Sequence, residues 1–348
     1  MKKKVTIQDI ADALGISRNT VSKAINNTEG LAEATRERIL QKAVEMGYKQ
    51  FSYVGTLSGI TAPGTGVAQR ASGFHGEIAL LTKSYLGQSH FAHLMLDKFQ
   101  QELAQLGYIL STHRVNQEDL DNHTLPITFV RERASAIVCI EMFDRTYNEM
   151  ICGLGLPVLF VDSPTRRYGD PLRADLLLMD NTTGITKLVN EMLAAGRKKI
   201  GHIGDYDHCQ SFYERYAAFR CAMMMEGVPV DEQCCIKTNH HREMHEALSS
   251  LSQLPDVFIC ANDFVAVEAI QALRELGKSV PEDVMICGFD DAPVSRMISP
   301  ALTTIHIHTQ IMAFSAAHLL MSRLEEPSLD YRVVHTETTL IHRDSTKF

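Results

Sequence analysis

The sequence predicts a small all-α headpiece followed by a two-lobed α/β body, and three observations carry that fold class. Apolar residues in the first fifty positions recur at helical spacing in three short bursts separated by polar breaks. From Glu77 onward, short β-rich runs at 78–81, 109–112, 136–140, 158–161, 200–203, 257–260 and 284–288 alternate with helical patterns at 90–106, 183–195, 212–226 and 265–276. That alternation is the mark of parallel sheets covered by helices. A faint internal repeat, residues 77–81 leading to Leu106-Gly107 and residues 199–203 leading to Glu226-Gly227, predicts two similar lobes with a cleft between them.

The headpiece comes first. Thr6 and Asp9 form a capping pair, Ile10, Ala11 and Leu14 make the stripe of a first helix over about 7–14, and Gly15-Ile16 turns the chain. Ser17 caps a second helix whose apolar positions are Val21, Ala24 and Ile25. Ile39, Leu40, Ala43 and Val44 line a third, which stops at Gly47. Between Tyr48 and His75 five glycines and Pro63 interrupt any periodicity, and this stretch reads as a linker. The expected boundaries are therefore 1–48 for the headpiece, 49–76 for the linker and 77–348 for the body. Within the body, one lobe takes about 77–178 and 306–328, the other about 179–305 and 329–348.

The chain is 348 residues long, 45% hydrophobic and 22% charged, an ordinary globular composition that excludes wholesale disorder. No apolar run approaches the roughly 18 residues that cross a bilayer, and the basic N-terminus leads into polar sequence instead of an export signal, so a cytoplasmic location without membrane attachment is expected. The eight cysteines include no CxxC pair, which suits reduced thiols. The net charge of −8 is unevenly spread: residues 1–50 carry nine Lys/Arg against six Asp/Glu, net +3, and the rest carry 25 against 36, net −11. Attraction to a polyanion would be local to the headpiece.

Two short helices about a glycine turn make a helix-turn-helix pattern. On the second helix Arg18, Asn19, Ser22 and Lys23 fall on one polar face, with Thr20, Val21 and Ala24 behind them. Arg and Lys donate to guanine edges and Asn pairs with adenine, so this face suits the major groove. The alternative is a solvated face of a helical subdomain that never meets DNA.

The residues also match a family. Residues 6–17, Thr20-Val21-Ser22-Lys23-Ala24-Ile25-Asn26, Thr35-Arg36-Glu37-Arg38-Ile39 and Gly47-Tyr48 closely resemble the headpiece of the lactose/galactose repressor family. Gly184 after Asp180-Asn181, Arg215-Tyr216-Ala217-Ala218-Phe219, Ala261-Asn262-Asp263, residues 280–284, Gly288-Phe289-Asp290-Asp291 and Leu302-Thr303-Thr304-Ile305 resemble its effector domain. The resemblance covers nearly the whole chain except the linker. It implies a helix-turn-helix headpiece on a periplasmic-binding-protein-like (type I) body, and a homodimeric transcriptional repressor reading a near-palindromic double-stranded operator under control of a small carbohydrate effector.

By position, the resemblance makes Arg18, Asn19 and Lys23 base readers and Thr6, Ser22, Asn26 and Thr35 phosphate holders, with Ser17 and Thr20 completing the DNA-facing set. It maps effector contacts onto Arg215, Asn262 and Asp290, with Asp162 as a further candidate; Ser84 and His306 complete the set. A guanidinium, an amide and carboxylates can satisfy a polyol's hydroxyls in both senses. Equally, Asp290-Asp291 and Asn262-Asp263 could be helix caps. The chain lacks Trp, so a sugar-stacking ring would be Tyr85, Phe91 or Tyr206.

The linker departs from the family pattern. Lys49-Gln50-Phe51 replaces the usual Pro-Asn start of the hinge, about a dozen residues are added, and Ala71 in the stretch 66–72 stands where a larger wedge is usual. A hinge helix and a loose tether are both open. His240, His241 and His245 include an i,i+4 pair of metal-binding type, but a solvated, irregular surface is the reading preferred, and neither metal nor cofactor is expected. No hydrolase or nucleotide-binding motif appears, so no enzyme is expected. A metal- or redox-sensing regulator and a freestanding solute-binding protein are the alternatives.

Overall fold

The computed structural model describes residues 5–25, separate positions between 31 and 46, and residues 74–83, 90–166 and 169–347. Helix α1 (Ile7–Leu14) starts in the expected capping box: Asp9 N donates to Thr6 Oγ1 at 3.3 Å, and the Asp9 carboxylate accepts from Thr6 N at 2.8 Å. It ends at Gly15, whose φ of 66° lies in the left-handed region that costs glycine least. Helix α2 (Arg18–Ile25) begins where Ser17 Oγ accepts from Thr20 N at 3.0 Å. Residues 35, 36, 38, 39, 42 and 43 are helical, and Ile39 and Ala43 pack with Ile10, Ala11, Val21 and Ala24 in one core. The expectations for the linker between 51 and 73, Ala71 included, lie outside the described residues.

The body contains two parallel sheets. The first joins β1 (Gly76–Thr82), β2 (Tyr108–Arg114), β3 (Ala134–Ile140), β4 (Val158–Val161), β5 (Asp175–Met179) and a late strand, β11 (Val333–Thr336), in the order β11-β5-β4-β3-β1-β2. The second joins β6 (Ile200–Ile203), β7 (Cys235–Ile236), β8 (Val257–Cys260) and β9 (Met285–Cys287) in the order β7-β6-β8-β9. Strands β4, β5, β6, β8 and β9 are buried end to end, as expected of sheets covered on both faces. The covering helices are α3 (His90–Gln105), α4 (Gln117–Asn122), α5 (Arg145–Cys152), α6 (Thr183–Ala194), α7 (Gln210–Met225), α8 (His241–Ser250), α9 (Asp263–Glu275), α10 (Val294–Met297) and α11 (Thr309–Glu325).

Three crossings join the lobes: after β5, after β10 (Thr304–Ile307), and between β11 and β12 (Thr338–Ile341). Strands β10 and β12 pair antiparallel. Gly184 sits beneath this pair, where an added Cβ would stand 2.9–3.1 Å from the Ile305 side chain.

The structure corrects two expectations. The segment from 329 does not go wholly to the second lobe: Val333–Thr336 pairs with Leu176–Met179 in the first sheet, and the chain crosses only afterwards. Asp175 fixes that course, since its buried carboxylate accepts from Arg323 Nε at 2.9 Å, Arg332 N at 2.8 Å and Arg332 Nη2 at 3.0 Å. The region of His240, His241 and His245 is helical, not irregular: α8 buries Met244 and Leu248, one turn apart, and leaves the rest of its surface polar. His241 there bridges Glu268 and Glu275 at 3.0 and 3.1 Å.

Candidate functional site

On α2 the inward residues Val21 and Ala24 are fully buried, which turns the opposite face outward. Ser17, Arg18 and Asn19 are exposed; Thr20, Ser22 and Lys23 are half-buried. Arg36, itself buried, reaches from the third helical segment to the carbonyl oxygens of Lys23 and Ala24, at 3.4 and 3.5 Å, and so anchors the end of α2. Thr6 is exposed with its hydroxyl committed to the α1 cap, and Thr35 is half-buried near the same core. Asn26 lies outside the described residues. The face that carries Arg18 and Asn19 is thus rigidly backed and free of the protein's own interior.

In the body, a cleft of about 700 Å³ opens at the carboxyl ends of the strands of both sheets, where ligands bind in open α/β folds. Glu141 follows β3, Asp162 follows β4 and Asp290 comes three residues after β9; their φ values of 55°, 60° and 113° are all positive. Non-glycine residues adopt such backbone only where their surroundings dictate it, and they concentrate at working sites. Asp162, Arg215, Asn262 and Asp290, four of the sequence candidates, line this one cleft.

Each is held differently. Arg215 is buried on α7; its Nε donates to Asn181 Oδ1 at 2.9 Å and its Nη1 to Ala261 O at 2.7 Å, while the guanidinium lies 3.6 Å from the Phe289 ring centroid. Asp290 stands 3.7 Å from Nη1. Burial pushes the Asp290 carboxyl up to about 7; Arg215 opposes this, and Glu141 and Asp162 add to it by like-charge repulsion. Asp162 is also raised by burial, against amide bonds from Ser163 N (2.8 Å) and Ser211 N (3.2 Å), both to Oδ1. Asn262 serves both readings, capping α9 by accepting from Val265 N at 2.9 Å while lining the cleft. Asp290 makes no cap: Pro293 precedes α10, and it is Asp291 that binds Ser295, Arg296 and Arg343.

The remaining candidates stand elsewhere. His306 does not line the cleft; its Nδ1 lies 3.0 Å from Asp291 Oδ2, because Asp291 turns away into a cluster of cationic donors. His308 is buried, bonded to Thr339 Oγ1 at 2.9 Å, and burial drives its pKa down to about 3. Tyr206 is not among the residues lining the cleft and stacks on Tyr216 at 4.3 Å. Ser84, Tyr85 and the Phe91 side chain lie outside the described residues.

Sequence reasoning missed Glu141, Phe143, His208, Phe212 and Phe264, all of which line the cleft. Phe143 from the first lobe meets His208 of the second at 5.0 Å, and His208 meets Phe212 at 5.3 Å. Glu141 was findable, since it directly follows a recognisable parallel strand. Phe212 lies one turn before Arg215 on the same helix face. Phe143 and His208 come together only when the lobes face each other, which no local pattern encodes. Among the described residues no group of three or more His, Cys, Asp or Glu could hold a metal ion.

The profile of the bacterial regulatory proteins of the lacI family matches residues 6–50, and that of the periplasmic binding protein-like domain matches residues 189–346. Among curated proteins, the HTH-type transcriptional repressor PurR of Haemophilus influenzae is 26% identical over 351 residues, spanning 98% of each chain. Among solved structures, the transcriptional regulator CelR–cellobiose complex superposes with a TM-score of 0.67 at 22% identity, covering 98% of this chain and all of that one. The lac repressor dimer bound to operator and the anti-inducer ONPF gives 0.67 at 19% identity, covering 99% and 100%. At these identities the structural likenesses establish the fold.

Proposed function

Because the chain is a member of the lacI family of bacterial regulatory proteins, we propose that it is a sequence-specific DNA-binding transcriptional repressor whose hold on its operator is set by a small ligand, a sugar or sugar derivative, in the cleft between the lobes. The observation that carries this reading is the exposed Arg18–Asn19 face of α2, backed by a packed three-helix core and joined to a body with an open interlobe cleft. Arg18, Asn19 and Lys23 read base edges, and the hydroxyl and amide groups around them hold phosphates and fix register. A homodimer presents two such faces to the half-sites of a near-palindrome.

The charge distribution fits this division of labour. The headpiece, net +3, approaches DNA, while the acidic body is kept off it. Ligand bound between lobes favours one lobe angle by its differential affinity, and that angle sets the spacing of the paired headpieces. The protein acts in the cytoplasm, where its DNA lies, and no catalytic step is assigned to it. Among the described residues no helix is long and apolar enough to cross a membrane.

The test is a binding titration of the full chain against operator fragments selected from a random duplex pool. The reading expects enrichment of a two-fold symmetric site and a bound fraction that changes when a cleft ligand is added. Binding to all duplexes alike, with no selected site, would contradict it.

A further inference from the structure

Resting on that reading of the same cleft, we propose that the effector is an ammonium-bearing, hydroxyl-rich molecule, an amino sugar or aminated polyol, and not a phosphorylated sugar. Among the described residues, four carboxylates line the cleft, from Glu141, Asp144, Asp162 and Asp290, against the two fixed cations Lys83 and Arg215. Lys83 is exposed at the edge. Arg215 is largely committed, with Nε on Asn181, Nη1 on Ala261 O, a ring beneath its plane and Asp290 at 3.7 Å. Neither Glu141 nor Asp162 makes an ion pair among the described residues.

When ionised, the carboxylates among the described lining residues outnumber the two fixed cations there. Burial raises the Asp290 carboxyl to about 7, so that it keeps its proton longer than an ordinary carboxyl; Arg215 opposes this, and the like charges of Glu141 and Asp162 add to it. An ammonium group entering among them replaces that proton and offsets the repulsion. A phosphate dianion would meet the same carboxylates, with the exposed Lys83 at the edge and the remaining donors of Arg215 as the fixed cations among the described lining residues. The carboxylates are too dispersed for the cation to be a bare metal ion, since no group of three among the described residues could close around one.

Shape agrees with charge. Phe143, His208 and Phe212 form a ring-lined wall that spans both lobes, with Phe264 nearly half exposed nearby. Such rings pack on the C–H faces of a sugar and attract a cation over their own faces. The uncommitted carboxylate oxygens accept from hydroxyls, and Asn262 and Ser211 add polar groups of both senses.

The experiment uses the full chain and matched probes: glucosamine and galactosamine, glucose and galactose, and glucose 6-phosphate. Thermal shift and titration calorimetry near pH 7 read the outcome, in buffers of differing ionisation enthalpy. At least one amino sugar is expected to bind at least about tenfold more tightly than its neutral counterpart, equivalent to about 1.4 kcal/mol, and to release protons on binding. The phosphate is expected to give no shift. Glu141→Gln, which removes one charge without touching Arg215, should lower the amine-to-neutral affinity ratio by about tenfold while leaving the melting temperature of the free protein nearly unchanged.

The proposal is overturned if neutral or phosphorylated probes bind as tightly as the amines, if no amine binds at all, or if Glu141→Gln leaves the ratio intact. Any of these with operator selection preserved removes the ligand class and leaves the repressor reading standing. Loss of operator selection itself removes the reading beneath.

Discussion

Arg18 and Asp290 illustrate what a single side chain decides here. Arg18 is exposed on a helix whose opposite face is locked by Val21 and Ala24, so its orientation is fixed while its guanidinium remains available. Arg18→Ala is expected to cost about 1–3 kcal/mol of operator affinity and to relax preference at one base position, without changing the melting temperature. A competition titration against single-base operator variants reads this; unchanged discrimination would remove Arg18 from base reading. Asp290, raised to about 7, binds its proton more tightly in the folded body than in the unfolded chain. Its ionisation therefore erodes stability as pH rises from about 4 to about 7. Asp290→Asn should flatten that part of the melting-temperature profile relative to the natural chain, and parallel profiles would sink the assignment. Arg215 and Asp290 were legible in the sequence because their motifs are dense. Glu141 escaped because it belongs to none, and its role rests on a strand end and a positive φ of 55°.

Among the elements, those with a strong local code were the readable ones. Helix α1 has a capping box, a glycine stop and a stripe between them, and the observed bounds match the expected ones. Helix α8 has only Met244 and Leu248 as a buried pair amid three histidines, a period too brief to stand out. Strand β11 could not be read at all, since half of its residues are exposed at a sheet edge and its pairing with β5 spans more than 150 residues of chain. What holds β11 there is Asp175, one carboxylate serving two arginines, with its own pKa lowered: burial raises it, and the bonds from Arg323 and Arg332 more than offset that. Removing the buried donor by Arg323→Ala should destabilise the body by about 3–5 kcal/mol, measured by denaturant unfolding. A loss within a few tenths of a kcal/mol would mean that Arg332 alone suffices.

For the molecule as a whole, a basic headpiece precedes an acidic body: residues 1–50 are net +3 and the rest net −11. The two-lobed plan was visible in the internal repeat, but the aromatic bridge of Phe143 and His208 exists only because two distant segments face each other across the cleft. The division of labour predicts that DNA affinity falls steeply with salt, through the few phosphate contacts of each headpiece. It also predicts that changes in the cleft alter DNA binding only through the lobes. The decisive measurement is operator selection from a random duplex pool by the natural chain and by an Arg18→Ala, Asn19→Ala double variant, each with its melting temperature recorded. The natural chain should enrich a symmetric site that the double variant no longer selects, at unchanged stability. Enrichment of the same site by both would show that α2 does not read the bases.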